Sequence, residues 1–132
     1  MPNPSPTVKW LAIAAILGTG LIHLLEARDA FGDATYKGLL FVANGAGALV
    51  AAAGIYRNQA AMGWLLGLVM AGGALVAYVA SRTVGLPGLP AEPAAWLEPS
   101  GVASVACESL FVILICARQK AVGRRYAVIA AT

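Results

Sequence analysis

Four apolar runs, each close to the length of a membrane crossing, limit what this chain can fold into. They extend from Val8 to about Ala27, from Gly38 to Tyr56, from Met62 to Ser81 and from Gly101 to Ala117. A helix rising 1.5 Å per residue needs about 20 residues to cross ~30 Å of hydrocarbon. Lipid offers the backbone no hydrogen bonds, so runs of this kind satisfy their amides internally, as helices. The period-two alternation of a membrane β-barrel is absent. The chain therefore reads as all-α: one transmembrane domain over 1–132, an integral membrane four-helix bundle with a basic tail at 118–132. The fourth run is the shortest, and it contains Glu108.

Composition agrees. Of the 132 residues 60% are hydrophobic and only 11% charged, whereas a soluble domain carries about 25% charge. Disorder needs the opposite balance. One His and two Cys rule out a zinc-finger array, a multi-disulfide scaffold and bis-His haem ligation within one chain.

The basic residues orient the bundle. Lys9, Arg57, Arg118, Lys120, Arg124 and Arg125 fall on one side with no acidic residue among them. Arg28, Lys37 and Arg82 fall on the other, beside Asp29, Asp33, Glu92 and Glu98. This excess places both termini in the cytoplasm of a bacterial inner membrane, N-in and C-in. Lys9 before an apolar stretch imitates a secretory signal, but Glu26-Ala27-Arg28-Asp29 offers no small-residue cleavage site, so the first helix is expected to be retained. The tail from Arg118 to Tyr126 is expected to rest on anionic headgroups of the lipid bilayer, at ~1 kcal/mol per charge. So short a cluster does not suggest nucleic acid.

Small residues mark the helix contacts. Gly63, Gly67 and Ala71 recur every fourth residue, as do Gly47 and Ala51, a spacing that lets helix backbones approach closely. An ordinary contact within the bundle explains it; a homodimer through Gly63 and Gly67 is the further expectation. No internal repeat of the transporter kind is found. The connection from Thr83 to Ser100 holds Gly85, Pro87, Gly88, Pro90, Pro93 and Pro99, which fix a defined path. Trp96 suits the headgroup level, and Glu98 and Pro99 suit the first turn of the fourth helix. A purely structural connection explains all of this; a lid over the outer mouth is the alternative reading.

Ionisable side chains inside a span are costly and normally face the protein interior. Here they gather by depth. His23 and Glu26 lie three apart near the outer end of the first helix, with Thr19 one turn further in. Asn44 and Glu108 each lie ~10 Å below the outer ends of their helices. Tyr78, Ser81 and Arg82 close the third. All four helices thus bring polar groups to the outer half, and the inner half offers nothing comparable.

Three readings follow. Arg82 neutralises Glu26 or Glu108 and the cluster is a structural staple. Alternatively His23, Glu26 and Glu108 hold a divalent metal (zinc, iron or manganese), with Cys107 a weaker fourth ligand, as bundle sites built from inward Glu and His do. Or the cluster binds a small molecule such as a quinone, a lipid head or an exported solute, with His23 and Glu108 exchanging protons. Cys107 and Cys116 lie nine residues apart on one helix, ~13.5 Å along the axis, too far for a disulfide. No Walker A, GxGxxG, GxSxG or HExxH string occurs, so no catalytic signature is present.

The residues His23-Leu24-Leu25-Glu26-Ala27, then SRTVGLPG at 81–88 and WLEP at 96–99 with Glu108 downstream, resemble an uncharacterised family of small four-helix bacterial integral membrane proteins. The resemblance covers all four spans; it implies the fold, marks the same residues and implies no chemistry. A looser likeness to the DoxX-like four-helix proteins rests on size and span count. The expected function is binding of a metal ion or small ligand at His23, Glu26, Asn44, Tyr78, Arg82 and Glu108. The alternative is a structural or accessory subunit of a larger membrane complex whose buried charges are an ion-paired staple.

Overall fold

The computed structural model describes residues 4–58 and 60–130, the side chains at 60, 121, 122, 124–128 and 130 excepted. Ser5 opens the first helix: its hydroxyl accepts from the Val8 N–H at 3.4 Å, and Pro6 occupies the first position, where a missing N–H costs nothing. This helix, α1 (Pro6–Asp33), ends at an extended Ala34, and α2 (Thr35–Tyr56) begins at the next residue. The third helix, α3, covers Ala60–Thr83, and α4 covers Pro99–Ala130, with a short 3-10 helix at Pro93–Leu97 before it. No strand occurs among the described residues. All four long helices are long and apolar enough to cross a membrane.

Each helix runs past its apolar stretch. Backbone i→i−4 bonding continues until a residue breaks it, whatever the hydropathy, so α1 carries on through Arg28 and Asp29 to Asp33. By the same logic the expected tail is helical to Ala130. Its headgroup contact through Arg124, Arg125 and Tyr126 falls on side chains outside the described residues. Arg118, placed in that tail by the sequence, is instead buried, its guanidinium carbon 5.1 Å from the centre of the Trp64 ring. An arginine stem covers apolar surface well, and an indole face attracts the cation.

The helices run antiparallel in chain order around a square. α1 and α3 each lie against both α2 and α4, and among the described residues α2 and α4 do not meet. The core mixes six alanines, among them Ala12, Ala48 and Ala71, with seven larger side chains that include Ile16, Ile55, Trp64, Phe111 and Leu114. Large apolar side chains such as Leu25 and Val76 face outward, 71% and 70% exposed. That arrangement reverses the water-soluble pattern, in which apolar patches of any size are rare.

Gly63 and Gly67 are spent inside the chain. A Cβ on Gly63 would meet the backbone of α2, 2.6 Å from Ile55 N and 2.8 Å from Gly54 C, and one on Gly67 would strike the Phe111 ring. The four-residue spacing therefore serves the intrachain contact of α3 with α2 and α4. Backbone cannot yield as a flexible side chain can, so Gly63→Ala is expected to destabilise the bundle by about 3 kcal/mol, the upper part of the overpacking range. Gly73→Ala, with nothing within 4 Å of the added Cβ, should be neutral or slightly stabilising. Thermal melts of both variants in one detergent check the contrast.

At the end carrying the termini, Lys9 fastens α1 to the α2–α3 turn. Its Nζ donates to Tyr56 O at 2.8 Å and Asn58 Oδ1 at 3.0 Å, beside a Trp10–Tyr56 ring contact of 5.9 Å. Asn58 takes φ 57°, a left-handed conformation that asparagine tolerates better than most residues.

Candidate functional site

Two separate polar assemblies occupy the other half of the bundle. The first is a clamp in the 84–98 loop. Gly85 and Gly88, at φ 86° and 74°, turn the chain tightly around Pro87, and Leu86 and Leu89 exchange backbone hydrogen bonds of 3.1 and 2.8 Å. Positive φ is where glycine costs least. Glu92 N then donates to Ser81 O at 2.9 Å, bringing the loop back over the end of α3.

Arg82, 8% exposed, gathers what this fold delivers. Its Nε donates to Ala95 O at 3.1 Å, one terminal nitrogen to Glu92 Oε2 at 3.0 Å and Ser81 Oγ at 3.3 Å, and the other to Glu98 Oε2 at 3.1 Å. The guanidinium also stacks 4.8 Å from the centre of the Tyr78 ring, and Tyr78 donates to Trp96 O at 2.8 Å. Tyr36 ties α2 to the loop through Pro87 O at 2.7 Å. Arg82 was expected to neutralise Glu26 or Glu108; it pairs with two loop carboxylates instead, because the turn at 85–88 returns them to it. Tyr78 and Arg82 therefore tie the loop to α3, and the loop also touches α2 and α4.

The second assembly is deeper, between α1 and α4. His23 Nδ1 lies 2.9 Å from Thr19 O. A carbonyl only accepts, so Nδ1 holds the hydrogen, and a neutral ring then presents a lone pair at Nε2. Nε2 is 4.0 Å from Glu108 Oε1, too long for a hydrogen bond. The ring packs on Phe41 of α2, with centroids 4.8 Å apart.

Glu108 is 1% exposed. Its Oε1 accepts from Ser104 Oγ at 2.6 Å, one turn back on the same helix, while Oε2 has no partner among the described residues. Thr19 Oγ1 and Asn44 Oδ1 are buried in the same condition, although Asn44 Nδ2 donates to Met70 O at 3.0 Å across to α3. A buried oxygen left unpaired costs about 1–3 kcal/mol, so such groups are exceptions that call for a reason.

The expected metal set is not assembled. His23 and Glu108 meet, but half-buried Glu26 is not brought together with them. Cys107 faces Gly18, its sulfur 2.9 Å from where a Cβ there would stand. Among the described residues no three His, Cys, Asp or Glu side chains converge on one point. Sequence reasoning also passed over Phe41 and Ser104. The latter had a signal in its four-residue spacing from Glu108; Phe41 had none.

With the geometry in hand, the chain was compared with known proteins: no family, no curated protein and no solved structure matches it.

Proposed function

We propose that this chain is a multi-pass protein of a bacterial inner membrane, both termini cytoplasmic, that binds a small molecule at His23 and Glu108 in the outer half of its bundle. The observation that carries the reading is the Glu108 side chain, buried with Oε2 unpaired among the described residues, its other oxygen 4.0 Å from His23 Nε2. A carboxyl and an imidazole side by side offer a ligand both hydrogen-bonding senses. Two ligating groups without a third favour an organic ligand over zinc, iron or manganese. The basic residues Lys9, Arg57, Arg118 and Lys120 at the end carrying the termini support the orientation. The staple reading, with its role in a larger complex, is favoured only at the Arg82 clamp, where every charge has found a partner.

The test is retention of small molecules. Wild type and His23→Ala are purified in the same detergent, then examined by native mass spectrometry and by solvent extraction. Wild type should carry one compound near stoichiometrically, and His23→Ala should lose at least about tenfold of it, a change of ~1.4 kcal/mol in binding, while keeping its helicity. Equal retention, or an empty wild type, overturns the reading.

A further inference from the structure

His23 and Glu108 face each other across the α1–α4 seam, and each is fastened by its other contacts. The imidazole is held at Nδ1, 2.9 Å from Thr19 O, and by its ring contact with Phe41 at 4.8 Å. The carboxyl is held at Oε1, which accepts from Ser104 Oγ at 2.6 Å. That same Oε1 lies 4.0 Å from His23 Nε2. With the Nδ1 hydrogen committed to Thr19, a neutral ring and an ionised carboxylate would turn two acceptors toward each other. One proton between them removes the conflict.

The surroundings supply no other balance for the charge. Among the described residues, His23 is the one basic group within 4.0 Å of the Glu108 carboxyl. On α1, Glu26 is not brought to the pair. The side chain that α2 lays on the ring is Phe41, which does not titrate, and Lys37 of that helix is paired with Asp33. Arg82, the charged residue of α3, is engaged by Glu92 and Glu98. On α4 the neighbouring titratable group is the Cys107 thiol, which faces Gly18. His23 lies ten residues before the end of α1 and Glu108 nine after the start of α4, roughly 14–15 Å inside the helix ends at 1.5 Å per residue. A lone carboxylate at that depth is costly, and a bound proton removes its charge.

We propose that the His23–Glu108 pair is a proton-binding site, in which one proton held by Glu108 Oε1 passes to His23 Nε2. In the transfer the O–H bond breaks and its electron pair stays on the carboxylate, while an N–H bond forms at the imidazole. Both fastening contacts suit the product: Ser104 donates to a carboxylate, and Thr19 O accepts from an imidazolium. The ion pair so formed spans ~2.8 Å, about 1 Å less than the gap, so the proton's position decides how closely α1 and α4 approach. The inference goes beyond the small-molecule reading and stands without it, since its ligand is the proton.

The chain has one histidine, so nitrogen NMR of histidine-labelled protein reports this imidazole alone. Infrared difference spectra report the protonated carboxyl. Wild type and Glu108→Gln are titrated with acid in one detergent, with no small molecule added. Wild type should show a protonated-carboxyl band that Glu108→Gln removes, and its carboxyl and imidazole signals should change over the same pH interval. Glu108→Gln should weaken the imidazole's hold on a proton at least about tenfold. An unchanged imidazole titration in Glu108→Gln overturns the inference, as does a wild type without a protonated-carboxyl band from Glu108 at any pH. If circular dichroism shows that Glu108→Gln does not fold, His23→Gln carries the test from the other side. Its carboxyl band should change at least about one pH unit away from wild type, and an unmoved band overturns the inference. Either failure leaves the retention test of the binding reading untouched.

Discussion

Arg82→Ala should free the 84–98 loop while the four helices stay assembled. The substitution removes two carboxylate contacts, a bond to Ala95 O and the stacking on Tyr78. Glu92 and Glu98 are about half exposed, so they rehydrate easily and the net loss is smaller than the number of contacts suggests. About 2 kcal/mol is expected, within the range for hydrogen bonds to charged groups. Glu92→Gln alone, with the rest of the clamp intact, should cost less than about 1 kcal/mol. Limited proteolysis gives the sharper readout: cleavage within the loop should accelerate at least tenfold in Arg82→Ala, since ~1.4 kcal/mol of local opening is a factor of ten. Unchanged cleavage would mean that the glycine and proline turns hold the loop unaided.

Glu108→Leu should make the bundle more stable. The carboxyl is buried with one oxygen unpaired, and an apolar side chain of similar size removes that burden. Ser104, losing its acceptor, can turn to the carbonyl one turn back on its own helix. A gain of about 1–3 kcal/mol follows, the cost of one unsatisfied buried polar group. It should appear as a higher melting temperature in detergent, together with loss of the retained small molecule. Proteins keep such destabilising groups where function requires them. A lower melting temperature would show that the carboxyl is structural, and it would remove the main support for a binding site at this position.

The two substitutions also show what the sequence could and could not reveal. Helix number was legible because four largely apolar runs of 17–20 residues leave the backbone one arrangement in lipid. Helix ends were not, since Asp29, Asp33 and the basic stretch after Arg118 stay helical by backbone bonding alone. The meeting of His23 and Glu108 was legible from depth: groups at one level on adjacent inward faces meet. Arg82 was misassigned because its partners arrive through the φ 86° and 74° turns at Gly85 and Gly88, and hydropathy carries no information about a turn's path. Glu26, three residues from His23 on the same helix, shows the limit of spacing arguments, since it does not complete a group with His23 and Glu108. Arg118 looked like a surface charge, and only the placement of Trp64 shows that its stem is packed.

The single residue between α1 and α2 has a consequence for how the protein is made. With only Ala34 to turn the chain, the first two helices form a tight hairpin. The second pair is joined by a clamp whose Arg82 partners lie within sixteen residues of it, so it too can close before the rest of the bundle exists. His23 belongs to the first hairpin and Glu108 to the second. The pair they form is therefore absent from either hairpin alone and comes into being only when the two dock.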